Sequence, residues 1–174
     1  MDAQQMLKQG FQTGQQTEIH DWIAGLFNTK AKELEKRLKA LEELEEIKKM
    51  HQEYMLCLDN IQFTKALDFF TDDAEVEVRN SGVMKGRVNY SKIYTGTLAM
   101  RKERHDGHLV AQPNITVDGN TAKGHWIIYM FFSVPTIEWI QGRHDVEYRK
   151  ENGVWKFSKL KFARTLASKE SLYP

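Results

Sequence analysis

The sequence predicts one α+β domain, a cone-shaped α+β barrel with N-terminal helices packed on a curved antiparallel sheet. Three observations carry that reading. Apolar residues recur every three or four positions between Lys32 and Leu58, the spacing of a helix face. From His108 onward the chain becomes runs of β-branched and aromatic residues, separated by the turn signals VDGN (Val117 to Asn120) and ENG (Glu151 to Gly153). Helices come first and strands last, an order that stacks helices on one face of a sheet. The chain has 174 residues, enough to bury about two thirds of its unfolded surface around one core.

Residues 1 to 30 read as an extension, Gln-rich in MDAQQMLKQGFQTGQQTE and then apolar in HDWIAGLF. Trp22, Ile23, Leu26 and Phe27 have helical spacing and are expected to dock on the chain's own domain or on a neighbouring subunit. The domain is expected over residues 31 to 170. Its long helix, from Lys32 to Leu58, reads as one apolar stripe of Leu34, Leu38, Leu41, Leu44, Ile47, Met50, Tyr54 and Leu58. The first half of that helix, flanked by Glu and Lys, is close to a coiled-coil pattern.

A second helix is predicted over Gln62 to Phe70, carried by Phe63, Leu67 and Phe70 and broken by TDD. AEVEV alternates apolar and acidic residues as a half-buried strand, Ala74 to Val78. Asn80, Ser81 and Gly82 end it, and a third helix follows near Val88 to Met100 with Ile93 and Leu98 inward. Four strands complete the sheet, at about His108 to Val117, Thr121 to Phe132, Ile140 to Arg149 and Val154 to Thr165.

Several function classes drop out on composition. Net charge is +1 and the charges are interleaved, as in KAKELEKRLKALEELEEIKK, so no single-sign field attracts nucleic acid or an anionic membrane. No secretory signal occurs, and the longest mainly apolar run, Trp126 to Val134, is too short to span a bilayer. The single cysteine, Cys57, lies among Met55, Leu56 and Leu58 and reads as a buried reduced thiol, which fits a cytoplasmic protein.

Strand parity indicates which side chains face a pocket between helices and sheet. Trp126, Ile128, Met130 and Phe132 share one face of their strand, and His144 lies with Val146 and Tyr148 on the next. In the last strand Arg164 shares parity with Leu160 and Phe162, where a buried cation needs an anion unless its stem carries it out to solvent. His125 falls on the opposite face with Ile127, Tyr129 and Phe131. Those apolar residues would need covering, so a homodimer or homotrimer is expected. For His108 parity does not decide the face, because Pro113 marks a bulge that resets the alternation.

Tyr54, Asp59 and His108 each sit among apolar residues, where an ionisable group is costly to bury. Taken singly, each has an ordinary reading: a core tyrosine, a helix-ending aspartate, a satisfied strand histidine. Taken together, a phenol, an acid and a base in an apolar pocket form a minimal kit for proton transfer.

The chain resembles the SnoaL-like branch of the nuclear transport factor 2-like superfamily over about residues 33 to 166. The resemblance is carried by IKKMHQEYMLCLDN, DFFTDDAEVEV, HLVAQPNITVDGNTAKGHW and QGRHDVEYRKENGVWKFSKLKF. It is nearest in pattern to dehydratases such as bile-acid 7α-dehydratase and scytalone dehydratase, with hexachlorocyclohexane dehydrochlorinase related. It implies cofactor-free elimination without a metal, with Tyr54, Asp59, His108 and Arg164 as catalytic positions. The sequence departs from the bile-acid enzyme around Met130, where an acid is replaced by apolar residues. The second histidine of the scytalone enzyme has two candidates here, His144 and His125. The reading is a lyase or isomerase, dehydratase-like, acting on a small apolar ring compound such as a steroid or polyketide. Trp126, Met130, Phe132, His144, Tyr148 and Phe162 would line its pocket. The alternative is a non-catalytic binding or assembly module of the same fold.

Overall fold

The computed structural model describes residues 13–78, 82–99, 106–133 and 137–168. The Gln-rich residues 1–12, the turn at Asn80 and Ser81, and the end of the third helix at Met100 lie outside them. The chain divides into two compact units, one up to Glu42 and one from Glu43 onward.

A single helix, α1 (Thr13–Asp59), supplies the described part of the first unit and opens the second. In the first unit Trp22 and Phe27, for which the sequence predicts a covered position, are 68% and 71% exposed. Leu34, Leu38 and Leu41 are also exposed, whereas Ile47, Met50, His51, Tyr54 and Met55 in the second unit are buried. The single stripe predicted from Leu34 to Leu58 is therefore two. Each step of three residues falls short of a full turn by roughly 60°. Four such steps in a row, from Leu38 to Met50, wind the apolar positions around the helix rather than along it.

In the second unit α1 is followed by α2 (Phe63–Ala66) and a 3-10 turn (Leu67–Phe69), then β1 (Phe70–Val78) and β2 (Met84–Lys85). Next come α3 (Arg87–Lys92), continued by a π-helical segment (Ile93–Leu98), and four long strands. These are β3 (Asp106–Asp118), β4 (Thr121–Phe132), β5 (Glu138–Glu151) and β6 (Val154–Ala167). The predicted second helix is shorter than expected, and β1 starts four residues before the predicted Ala74. The reason is an irregular pairing between Phe70 and Glu75 that leaves Phe70 and Thr71 both buried and hides this stretch from a period-2 reading.

One six-stranded sheet results, in the order β2-β1-β6-β5-β4-β3. It is curved and unclosed, with the part of α1 from Glu43 onward packed across its inner face. β3 to β6 pair antiparallel as expected, whereas β1 joins β6 in parallel, a pairing that the long helical and strand excursion between them permits. Ile47, Met50, Tyr54 and Met55 of α1 share one core with Trp126, Ile128, Val146, Tyr148, Phe157 and Leu160. The helix is also pinned by charge at its entry to this unit. One Glu43 carboxylate oxygen accepts from Lys150 Nζ and from Trp155 Nε1, each at 2.6 Å.

The bulge predicted at Pro113 is present. Ala111 pairs with Ile127 but Asn114 with His125, so β3 carries one extra residue, and Gln112 adopts a left-handed φ of 50° there. Inward positions are even before the bulge (His108, Val110) and odd after it (Ile115, Val117), the last three packing against the core. Gly124 of β4 makes room for this bend: a Cβ there would overlap the Asn114 carbonyl oxygen. Because that obstacle is backbone, Gly124→Ala is expected to destabilise the fold by about 1–3 kcal/mol. Urea titration checks it as a lowered midpoint at unchanged slope; an unchanged midpoint would mean the bulge yields freely.

Candidate active site

The last residue of α1 is Asp59, and the local sequence fixes where the helix stops. Gln62 N–H donates to the Cys57 carbonyl at 2.7 Å and Ile61 N–H to the Leu58 carbonyl at 3.1 Å, the paired bonds of a Schellman terminus. The left-handed position of that motif, usually glycine, is held by Ile61 at φ 58°. A β-branched residue there stores on the order of 1–2 kcal/mol of strain. Asp59 thus stands at the negative end of the helix dipole, where a carboxylate is opposed unless a donor compensates it.

His108 is that donor. Its Nδ1 lies 2.6 Å from Asp59 Oδ1, and the two side chains are 11% and 25% exposed. The bulge decides this contact, because continuing the alternation of Ile115 and Val117 back through β3 would turn His108 to the outer face. With Asp59 accepting from Nδ1–H, the lone pair of His108 is placed on Nε2, free to take a proton.

A second, fully buried network runs beside this pair. Trp126 Nε1–H donates to the Tyr148 hydroxyl at 2.9 Å, that hydroxyl lies 2.9 Å from His51 Nδ1, and His51 Nε2 lies 3.1 Å from His144 Nδ1. The tryptophan is only a donor, and the arrangement that gives the buried Tyr148 hydrogen an acceptor has Tyr148 O–H donating to His51 Nδ1 and His51 Nε2–H donating to His144 Nδ1. His144 is then left with Nε2–H as a neutral donor. Burial holds the His51 imidazole down to about 3. His144 is pushed well below the usual range by burial first, then by the nearby His51 and His108. His108 is therefore close enough to His144 for their charges to interact, and the two clusters adjoin.

The predicted residues separate into groups. Asp59 and His108 meet. Tyr54 hydrogen-bonds instead with Tyr94, their hydroxyls 2.7 Å apart, and burial raises both phenols. One hydrogen suffices for that bond, which leaves the pair a second O–H. Arg164 stands opposite Gly142 near the end of β6 and is exposed, so its position does not demand a buried anion. His144 is buried and faces inward, whereas His125 is half-buried on the other face.

Trp126 and Tyr148 belong to the main core, Phe132 and Phe162 form a second cluster with Ile140, and Met130 touches both. Met130 is also the cross-strand partner of His108. Burial raises the Cys57 thiol, as expected of an inert one. Sequence reasoning missed His51 and Tyr94. Helical spacing held the signal for His51, which is four residues from Ile47 and three from Tyr54. For Tyr94 it was the spacing of four from Tyr90, also buried.

Among the described residues, no three His, Cys, Asp or Glu side chains group as a metal ion would require. No helix among them is long and apolar enough to cross a membrane. A surface cleft of about 410 Å³ lies between α1 and the β5–β6 turn, lined by Glu46, Lys49, Glu53, Lys65 and Asp68 with Phe69 and Trp155. Its mixed charges sit on long, solvated side chains and include none of the residues above.

Several solved structures share the fold. A candidate scytalone dehydratase from Novosphingobium aromaticivorans is 19% identical, with 76% of this chain and 91% of that one covered at a TM-score of 0.67. An NTF2-like protein with a cystatin-like fold from the same organism is 22% identical, covering 80% and 90% at 0.65. A hexachlorocyclohexane dehydrochlorinase from Novosphingobium barchaimii is 21% identical, covering 79% and 98% at 0.65. No curated protein matches the sequence. The SnoaL-like domain family matches residues 39–161, well over half of the chain. The chain therefore belongs to the SnoaL-like domain family.

Proposed function

We propose that this protein is a cofactor-independent, dehydratase-like lyase or isomerase acting on a small apolar ring compound such as a steroid or polyketide. The observation that carries the reading is the 2.6 Å contact between Asp59 Oδ1 and His108 Nδ1, made between a helix end and a bulged strand. In this reading His108 Nε2 removes a proton from the carbon next to a carbonyl. The C–H electron pair forms the new C=C bond as the neighbouring C–O bond breaks, and the leaving hydroxide takes a proton to depart as water. Asp59 fixes the tautomer of His108 and favours the imidazolium formed on the way. The second O–H of the Tyr54–Tyr94 pair supplies a hydrogen bond, or the proton, to the oxygen on which charge develops. Arg164, being exposed, is assigned no step. Met130, Phe132 and Phe162 give the substrate an apolar lining with Trp126, and His144 offers a neutral N–H within it. Relatives in the same fold include proteins named for dehydration and dehydrochlorination, which fits this class.

The exposed Leu109, Phe131 and Trp139 on the outer side of β3 to β5 favour a homodimer or homotrimer through that face.

The test is a screen of hydroxylated steroids and polycyclic ketones for loss of water, read as the rise of a conjugated enone absorbance. With a turned-over compound, His108→Ala is expected to lower kcat by about a thousandfold or more while ligand affinity stays within about threefold. Equal loss of affinity and turnover would instead favour a binding module.

A further inference from the structure

The first unit carries a surface that the elimination chemistry does not use. Between Ala24 and Glu42, α1 has apolar residues at alternating spacings of three and four: Ala24, Phe27, Ala31, Leu34, Leu38 and Leu41. This is a heptad seam with Ala24, Ala31 and Leu38 at the a positions and Phe27, Leu34 and Leu41 at the d positions. Phe27 is 71% exposed, and Leu34, Leu38 and Leu41 are 52%, 57% and 61% exposed. An unbroken helix with large apolar side chains on one line, all in water, is unfavourable for a single copy.

The charges beside the seam identify the occupant. Lys30 and Arg37 hold the g positions, and Glu35 and Glu42 hold the e positions. In a parallel, in-register pair each g residue meets the e residue of the next heptad on the other helix. Lys30 then faces Glu35 of the second copy and Arg37 faces Glu42 of the second copy, attractive on both sides of the seam. In an antiparallel pair g meets g and e meets e, which sets Lys30 and Arg37 against each other and the glutamates likewise. The pattern favours a copy of itself in one orientation and opposes the other.

We propose that residues 24–42 of α1 form a parallel two-stranded coiled coil with a second copy of this chain. The seam is about 27 Å long, short enough that association is reversible and salt-sensitive.

Cross-linking of the full-length protein tests this independently of contacts through the sheet face. In a Cys57→Ala background, Leu34→Cys places a thiol at a d position, beside its own counterpart in the parallel pair. Lys36→Cys places one on the far side of the same helix. Mild oxidation is expected to link the Leu34→Cys chains at least tenfold faster than the Lys36→Cys chains. Adding Lys30→Glu and Arg37→Glu to the Leu34→Cys chain should slow linking by roughly tenfold, as should adding Glu35→Lys and Glu42→Lys. Mixing the two charge-reversed chains should restore it, as a heterodimer, which also shows that both are folded. Equal rates at positions 34 and 36, or linking indifferent to either reversal, would overturn the proposal.

Discussion

Lowering the pH from 7.5 to 5.5 is expected to remove about 3 kcal/mol of folding stability through His51 and His144. Both rings are buried, and among the described residues neither is bonded to a carboxylate that would welcome a proton. Their folded-state affinity for protons is depressed, to about 3 for His51 and well below the ordinary 6.5 for His144. The unfolded chain protonates both near 6.5, so below that pH it binds more protons than the folded one. Stability is complete above about pH 7.5, declines as pH falls through 6.5, and for His51 goes on declining until about 3. At pH 5.5 each histidine contributes roughly half of that loss. For a domain held by roughly 5–15 kcal/mol this is a large fraction. Urea unfolding at a series of pH values measures it. A His51→Phe variant, less stable at neutral pH because the Tyr148 hydroxyl and His144 Nδ1 lose a partner, should show about half the pH dependence. A wild-type midpoint that stays level from 7.5 to 5.5 would show that a proton is accommodated inside.

The order of elements and the faces of the three long C-terminal strands were legible because their signals are local: side-chain alternation and turn residues. Long-range features were less so. Pairing of β1 with β6 in parallel leaves no mark in either strand. The predicted single stripe on α1 failed because a run of three-residue steps resembles helical periodicity while rotating around the helix. Pro113 announced a bulge but not its consequence, since one inserted residue reverses which neighbours share a face with His108. The pairing of Asp59 with His108 therefore came from resemblance in motif order. His51 could have been found from spacing alone, but a histidine between Met50 and Tyr54 gives no sign that it will meet a histidine and a tyrosine from β5. Arg164 shows the limit of parity, which gives the side of a strand and not how near its open end a long side chain lies.

Replacing Asp59 by asparagine is expected to separate catalysis from stability more cleanly than any other single change. The amide has nearly the same size, and either its carbonyl or its NH2 can face His108 Nδ1. It removes a negative charge from the end of α1, where the dipole opposes one, a gain of about 0.3–1 kcal/mol. That gain offsets part of the lost charge-assisted bond, so the unfolding midpoint should move little. Turnover should not be spared, because with either face of the amide toward His108 the charge that would favour the imidazolium is gone. Where the NH2 is the face turned toward His108, it also donates to Nδ1, forces the proton onto Nε2, and so removes the lone pair that would accept the substrate proton. Misplacing the tautomer of a catalytic histidine in this way costs on the order of 10⁴ in kcat where it has been isolated in a serine hydrolase triad, and a loss of at least a thousandfold is expected here. The double variant Asp59→Asn/His108→Ala should be no slower than His108→Ala alone, because Asp59 acts only through the imidazole. Additive losses would mean that Asp59 touches substrate on its own account, and a loss under tenfold would reduce the Asp59–His108 bond to a helix cap.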